Sequence, residues 1–324
     1  MGRGAGKRSG LPAPPPGGSA HEQRGGIEAL LRDLVLGAPE NILRDRGGIA
    51  IFGAPLVGVA DGDDPIFSRF REVVSSRHLM PRAIVEDRSP PASAAPVRVI
   101  AWALPYTKEV RSSNRGSEWP SSLYSQARNN AAALNERVCQ GLVAHLEGRG
   151  RVAVAPIATA AYDAFRDERW VFTSTWSERH VAYAAGLGRF GINGGLITGA
   201  GMAVRFGSVV TDLDVEPTPR AAGGHLHPCF GEDGTGCGRC IPRCPVGAIS
   251  RAGLDKEKCY ARRNVVRERF LPVYLQTLEL LAASVVKGGK RSRGHSLGCA
   301  LCQCGVPCEA RIPRTGSTPA SSRA

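Results

Sequence analysis

The stretch CGRCIPRCPVGAI, Cys237 to Ile249, decides the reading of this chain. It spaces three thiols as Cys237-x2-Cys240-x3-Cys244 and places Pro245 directly after the last. Thiolates this close on an irregular loop can wrap one iron–sulfur cube, and a cysteine turned away by a following proline serves a second cube. The other cysteines gather around the same stretch. Cys139 stands alone, whereas Cys229, Cys237, Cys240, Cys244, Cys259, Cys299, Cys302, Cys304 and Cys308 crowd the C-terminal part of the 324 residues.

Working outward, Cys229 upstream and Cys259, Cys299-x2-Cys302 and Cys308 downstream bring the plausible ligands to eight, enough for two 4Fe-4S clusters, with Cys304 spare. This is the pattern of a bacterial dicluster ferredoxin, in which the chain crosses over between clusters. Applied here, one cluster takes Cys229, Cys237, Cys240 and Cys308, and the other takes Cys244, Cys259, Cys299 and Cys302. Two positions depart from the pattern: seven residues separate Cys229 from Cys237, and Glu309 rather than proline follows Cys308. His225, His227 and Cys304 are the available substitutes for a doubtful ligand. Zinc could use the pairs Cys237/Cys240 and Cys299/Cys302, but they lie far beyond a zinc-ribbon spacing and would leave four thiols over. A disulfide framework needs an oxidising compartment, and the first residues, MGRGAGKRSGLPAPPPGG, lack the apolar segment of a secretory signal. The C-x3-C-x2-C order of radical S-adenosylmethionine enzymes does not occur.

The rest of the chain reads as a mixed body with tails. With 42% apolar residues it can bury a sizeable core. No run approaches the roughly 18 apolar residues of a membrane helix, so a cytoplasmic protein without membrane partners is expected. Residues 1–26 read as a disordered basic tail and 314–324 as a second disordered tail. A body over 27–217 and a cysteine-rich region over 218–313 lie between them. In the body, VRVIAWAL (Val97 to Leu104), VAVAPI (Val152 to Ile157) and VRFGSVVTDL (Val204 to Leu213) read as strands. Leu123, Ala127, Ala131, Leu134, Val138, Leu142 and Leu146 recur at helical spacing, with Ser121 or Ser122 as the cap and Gly148 after the end. Cys139 falls beside that stripe and reads as a partly buried thiol. The fold class expected is α+β, a mixed α/β body followed by a dicluster ferredoxin-like module.

The formal charge of +13 sits partly in a Gly-spaced loop, Lys287, Lys290, Arg291 and Arg293, between a long C-terminal helix and the closing cysteines. Such a loop could steer an acidic redox donor such as ferredoxin or flavodoxin, or touch nucleic-acid phosphates.

GLGRFG, Gly186 to Gly191, matches the spacing of a dinucleotide fingerprint, with Asp212 about twenty residues on. That mechanism needs a strand before the first glycine and a helix after the last. Here the order is reversed: Thr175 and Glu178 read as a capping box opening a helix, and Gly186 falls where its left-handed cap belongs.

Four segments carry a resemblance to a known family: WSERHVAYAAGLGRFGINGGLIT (Trp176 to Thr198), VVTDLDVEP (Val209 to Pro217), CGRCIPRCPVGAI and the closing CALCQCGVPCEARIP (Cys299 to Pro313). Together they resemble the epoxyqueuosine reductases, a cobalamin-dependent iron–sulfur group related to reductive dehalogenases. PLVGVADGDDPIF (Pro55 to Phe67) and ALPYTKEVRSSNR (Ala103 to Arg115) resemble a shorter branch of that family. The resemblance implies a nitroreductase-like, cobalamin-processing-like body that holds cobalamin against the nearer of two 4Fe-4S clusters. The glycine turn, Gly186, Gly188, Gly191 and Gly194, would let backbone lie close to the macrocycle. It implies an oxidoreductase that passes electrons through both clusters to a corrinoid or substrate; the alternative is an electron-transfer protein or scaffold without its own catalysis. The family's proton-donating aspartate has no counterpart in VFTSTWS (Val171 to Ser177), which leaves Glu178 and Tyr183 as donors, with Arg179 beside Glu178 as an ion-pair partner. The helical repeats that grip tRNA in that family are also missing after Cys308, so tRNA is a doubtful partner.

Overall fold

The computed structural model describes residues 20–88, 95–116, 118–227, 229, 236–270 and 298–313. In chain order its helices are α1 (Ala20–Leu36), α2 (Ile66–Val73), α3 (Pro81–Glu86), α4 (Lys108–Ser113), α5 (Ser122–Glu147), α6 (Glu178–Ala184) and α7 (Lys256–Arg269). Its strands are β1 (Ile42–Leu43), β2 (Ile49–Ala50), β3 (Leu56–Asp61), β4 (Arg98–Pro105), β5 (Ala153–Val154), β6 (Ala164–Asp167), β7 (Val171–Ser174), β8 (Gly188–Phe190), β9 (Leu196–Thr198), β10 (Val204–Thr211), β11 (Ile249–Ser250) and β12 (Gly253–Leu254).

A four-stranded antiparallel sheet in the order β3-β4-β10-β5 forms the centre. The alternation of side chains along a strand builds a layer on each face. Ile100, Trp102 and Leu104 of β4 join Val209 of β10 in one core, which α1 and α5 cover through Leu31, Leu134 and Leu142. Val99 and Ala101 join Val210 in the other, which α2 and α6 cover through Phe67, Phe70 and Val181. Both faces of the sheet are thus buried, as the nearly unbroken apolar run of β4 requires.

The helix expected over the leucine stripe is α5, and Ser121 caps it by accepting a hydrogen bond from the Tyr124 amide at 2.9 Å. Cys139 is buried in the first core. The expected strand from Val152 shrinks to Ala153 and Val154, because Pro156 opens a 3-10 turn. The expected basic tail is shortened: Ala20 to Gly26, assigned to it, are the first turns of α1. The capping box is also corrected. Glu178 is the first residue of α6, Ser177 takes the cap position, and the Thr175 hydroxyl donates to the Ala161 carbonyl instead. Gly186 does adopt the left-handed cap conformation, at φ 73°, with a helix before it and β8 after it. The reversed order that argues against a dinucleotide site therefore holds.

The cysteine-rich region contributes the β11–β12 hairpin and α7. Its closing segment is stitched to the strand entering β10: the Met202 amide donates to the Cys308 carbonyl at 2.7 Å, and Ala203 to that of Glu309 at 3.1 Å. Among the described residues no helix is long and apolar enough to cross a membrane. The expected long C-terminal helix, the Lys287 to Arg293 loop and the tails at 1–19 and 314–324 lie outside the described residues.

Candidate metal centre

All ten cysteines are free thiols. Four of them, Cys229, Cys237, Cys240 and Cys308, line one small cavity, whose wall includes Ile192, Asn193 and Met202. The same four feel one another's charge: burial first, and then Cys240, Cys229 and Cys237, push the Cys308 thiol up to about 12. Burial, with Cys229 and Cys237 behind it, pushes Cys240 up to about 11.

Cys244, Cys259, Cys299 and Cys302 make a second neighbourhood. Burial raises Cys259, and the charges of Cys244 and Cys299 raise it further. Burial likewise raises Cys302, followed by Cys259, Cys299 and then Cys240. That last neighbour joins the two sets, and Cys240, Cys244, Cys302 and Cys308 share a small core with Ile192, Ile249 and Val306.

Donors are aimed at these sulfurs. The Ala248 amide donates to Cys244 Sγ at 3.2 Å, the Leu301 amide and the Arg262 guanidinium lower Cys299, and Ile192 and Asn193 do the same for Cys229 and Cys302. Donors to sulfur favour the thiolate and tune the potential of a bound cluster. Even so, Cys229, Cys240, Cys259, Cys299, Cys302 and Cys308 are lifted by burial first and by neighbouring thiols, so a strongly cationic core is what would hold them deprotonated.

The donor set is all thiolate, which suits iron–sulfur clusters and zinc alike. A tetrahedral zinc would draw its sulfurs to about 3.8 Å from one another. Among the described residues no three Cys, His, Asp or Glu side chains come together closely enough to hold one metal ion. A cube with iron at four corners spaces its thiolates more widely.

The substitutes have other work. Cys304 lies in the large core of the body, where burial pushes it up to about 12 and the Asn114 amide reaches its sulfur at 3.8 Å. His227 Nδ1 accepts from the Cys229 amide at 3.1 Å, and so holds that cysteine's backbone. The His225 carbonyl accepts from the Phe190 amide.

Two residues that the cysteine spacing does not reveal complete the frame. Glu309, where a proline was expected, takes Arg115 on both oxygens (2.7 and 3.0 Å), Arg111 at 3.2 Å and the Gly305 amide at 2.6 Å. Arg243, next to Cys244, donates to the carbonyls of Leu301, Cys304, Gly116 and Asn114. The only sequence signal for Glu309 is the broken Cys-Pro pattern, and Arg243 has none.

The glycine turn is placed beside the cavity, but not as an open cradle. A Cβ on Gly186 would lie 2.7 Å from the Pro219 carbonyl oxygen, and one on Gly188 would lie 2.2 Å from that of Ile197. Gly191 is closed by Met202 at 2.9 Å, and Gly194, at φ 72°, faces Leu254 at 3.4 Å. The close approaches that require glycine are thus made by this chain's own atoms. The turn holds Asn193, whose side-chain amide donates to the Cys302 carbonyl at 3.1 Å. These glycines do not fit a flat macrocycle, and no step is assigned to a corrinoid.

Glu178 and Tyr183 are not brought together. Five residues apart on α6, they point about 140° from one another; Tyr183 packs at 5.8 Å from Phe190. The Glu178 carboxylate instead accepts from the Ser208 hydroxyl at 2.7 Å, while its second oxygen is buried without a partner. Burial pushes Glu178 up to about 7, against the Ser208 hydrogen bond and the Arg205 charge. The expected ion pair with Arg179 is absent, because that guanidinium donates to the Gly194 carbonyl at 2.6 Å.

A mixed helix-and-sheet body carrying two adjoining four-thiol nests defines the class of this chain. No family model matches it, and no curated protein does. Solved structures similar to it are epoxyqueuosine reductases and reductive dehalogenases. The Bacillus subtilis epoxyqueuosine reductase is 15% identical with a TM-score of 0.47, covering 92% of this chain and 68% of that one. An epoxyqueuosine reductase bound to a modified tRNA-Tyr stem loop is 16% identical at TM-score 0.43, covering 74% of this chain. A reductive dehalogenase described as acting by B12-dependent dehalogenation is 16% identical at TM-score 0.40, covering 64% of this chain. This chain spans 56% of the tRNA-bound enzyme and 27% of the dehalogenase. At such values the likeness is one of chain course, and chemistry has to be read from this chain's own residues.

Proposed function

We propose that the chain is an iron–sulfur oxidoreductase of the epoxyqueuosine reductase kind. In this reading Cys229, Cys237, Cys240 and Cys308 hold one 4Fe-4S cluster and Cys244, Cys259, Cys299 and Cys302 hold the second. Such clusters supply one-electron transfer between a donor protein and a substrate held by the N-terminal body. The chain's own residues bury the ligands, aim amides and Arg262 at the sulfurs, and present Glu178 as a carboxyl able to give up a proton near neutrality. The observation that carries the reading is the convergence of eight cysteines into two sets of four that meet through Cys240 and Cys302.

Anaerobic purification with iron and sulfide analysis tests it. About eight irons and eight acid-labile sulfides per chain are expected. Zinc alone, or iron without sulfide, would overturn it.

One observation favours the second reading, an electron-transfer protein without catalysis of its own: the glycine turn is filled by the chain. Titrating the iron-loaded protein with cobalamin separates the two readings on the corrinoid question. A change in the corrinoid absorption at stoichiometric protein would overturn the filled-turn argument. An acidic one-electron donor, a ferredoxin or flavodoxin, is the partner this function requires. A tRNA stem loop is bound by one of the similar reductases, and no described residue of this chain is assigned to it.

A further inference from the structure

Glu178 lies at the end of a chain of hydrogen bonds that nothing in the thiol chemistry explains. The Trp176 indole, 1% exposed, donates from Nε1 to Ser208 Oγ at 3.0 Å. An indole N–H can only donate, so Ser208 Oγ spends a lone pair on it and turns its own hydrogen to Glu178 Oε2, 2.7 Å away. Ser208 is fully buried on β10, so no water competes for that hydrogen. Oε2 is thereby committed as an acceptor, and Oε1, buried and without a hydrogen-bond partner, is left to carry the acid's proton.

We propose that Ser208, fixed by Trp176, is the positioning residue of Glu178: it orients the carboxyl so that its transferable proton resides on Oε1. The inference rests on the proposed role of Glu178 as the acid of the site. Among the described residues the other groups that interact electrostatically with Glu178 are Arg205 on β10, Cys139 on α5 and Tyr162 in the loop before β6. Of these only Arg205 carries a charge at neutral pH, and it favours the carboxylate. Cys139 is raised well above the ordinary thiol range by burial, and Tyr162 is raised by burial too, so both stay neutral. Deleting the Ser208 hydroxyl therefore removes a hydrogen bond that stabilises the charged form.

The test is infrared titration of the protonated carboxyl band in the purified full-length protein, with E178Q identifying the band. In S208A the midpoint should rise by about one pH unit, a roughly tenfold weaker acid, since a hydrogen bond to a charged group is being lost. S208T, which keeps a hydroxyl, should titrate within a few tenths of a unit of the parent. W176F keeps the hydroxyl but frees its orientation, and should broaden and shift the band. An unmoved midpoint in S208A, or an unchanged band in W176F should S208A fail to fold, would overturn the proposal. Iron and sulfide content, measured on the same samples, reports on the cluster reading separately. A shifted carboxyl without clusters sinks that reading and spares this one, and the converse also holds.

Discussion

Glu178 and Glu309 both sit against β10 with carboxylate oxygens withdrawn from water, and the chain holds them in opposite states. Around Glu309 burial pushes the carboxyl up, but the Arg115 and Gly305 hydrogen bonds and the charge of Arg115 outweigh it and hold the group below the ordinary carboxylate range. Glu178 receives one hydroxyl, and burial wins. What separates them is the number and charge of the donors at Glu309 together with the deeper burial of Glu178. The Glu309 region is a finished latch between the closing cysteines and α4. The Glu178 region keeps an unspent acceptor, as a group that exchanges protons must.

The strongest way to break this contrast is Glu309→Ala. It takes the carboxylate from Arg111, whose side chain is only 16% exposed, and leaves it with the Tyr106 carbonyl beside the closing loop. Removing one partner of such a buried pair is expected to cost about 3–5 kcal/mol in urea denaturation and to release iron from the Cys308 set. A loss below about 1 kcal/mol would mean that the latch is ornamental.

The second test uses pH. An unfolded glutamate titrates near 4.5 and Glu178 near 7, so between these values the folded chain keeps a proton that the unfolded chain has lost, and stability falls as pH rises. His78 and His180 act with the opposite sign. Burial depresses them from 6.5 to about 4 and about 3, so below pH 6.5 the unfolded chain takes up protons and stability falls with acid. The two histidines outweigh the single glutamate below 6.5, which places the optimum near that pH. In E178Q the fall between pH 6.5 and about 8, below the range in which the raised thiols contribute, should vanish. Relative to the parent, the variant should gain at most about 3 kcal/mol between pH 4.5 and about 8, less whatever solvent screens. Parallel curves would show Glu178 to be an ordinary carboxylate.

A third substitution leaves the carboxylates for the turn beside them. Gly186→Ala meets a positive φ and the Pro219 carbonyl, and should cost about 1–2 kcal/mol in denaturation with iron content unchanged. Full stability combined with altered corrinoid binding would instead restore the cradle. The smallest effect belongs to a pair in water: Arg166→Ala removes its contact with Glu257, both more than half exposed, and should change stability by no more than about 0.5 kcal/mol.

Local signals were legible in the sequence and distant ones were not. The α5 stripe and its Ser121 cap follow from spacing and from a hydroxyl placed to meet the Tyr124 amide, and β4 follows from its unbroken apolar run. Cysteine order and ferredoxin crossover propose the two thiol sets, and the described residues bring Cys229, Cys237, Cys240 and Cys308 to the wall of one cavity. The Ser208–Glu178 bond spans 30 positions, and the Glu309 bonds to Arg111 and Arg115 span 198 and 194. No local pattern encodes such pairs, which exist because β10 is central to the sheet. The apparent capping box failed for a related reason: Thr175 is claimed by the Ala161 carbonyl and the Asp163 amide, so Ser177 is left to begin the helix.

The four carbonyls gathered by Arg243 come from the turn after α4 and from the loop that carries the last cysteines. Sulfur geometry in this protein is consequently hostage to the integrity of a peptide turn more than a hundred residues away. With the proposed clusters loaded, a lesion in that turn is expected to announce itself as fading brown colour while the far-ultraviolet dichroism still reports a folded chain.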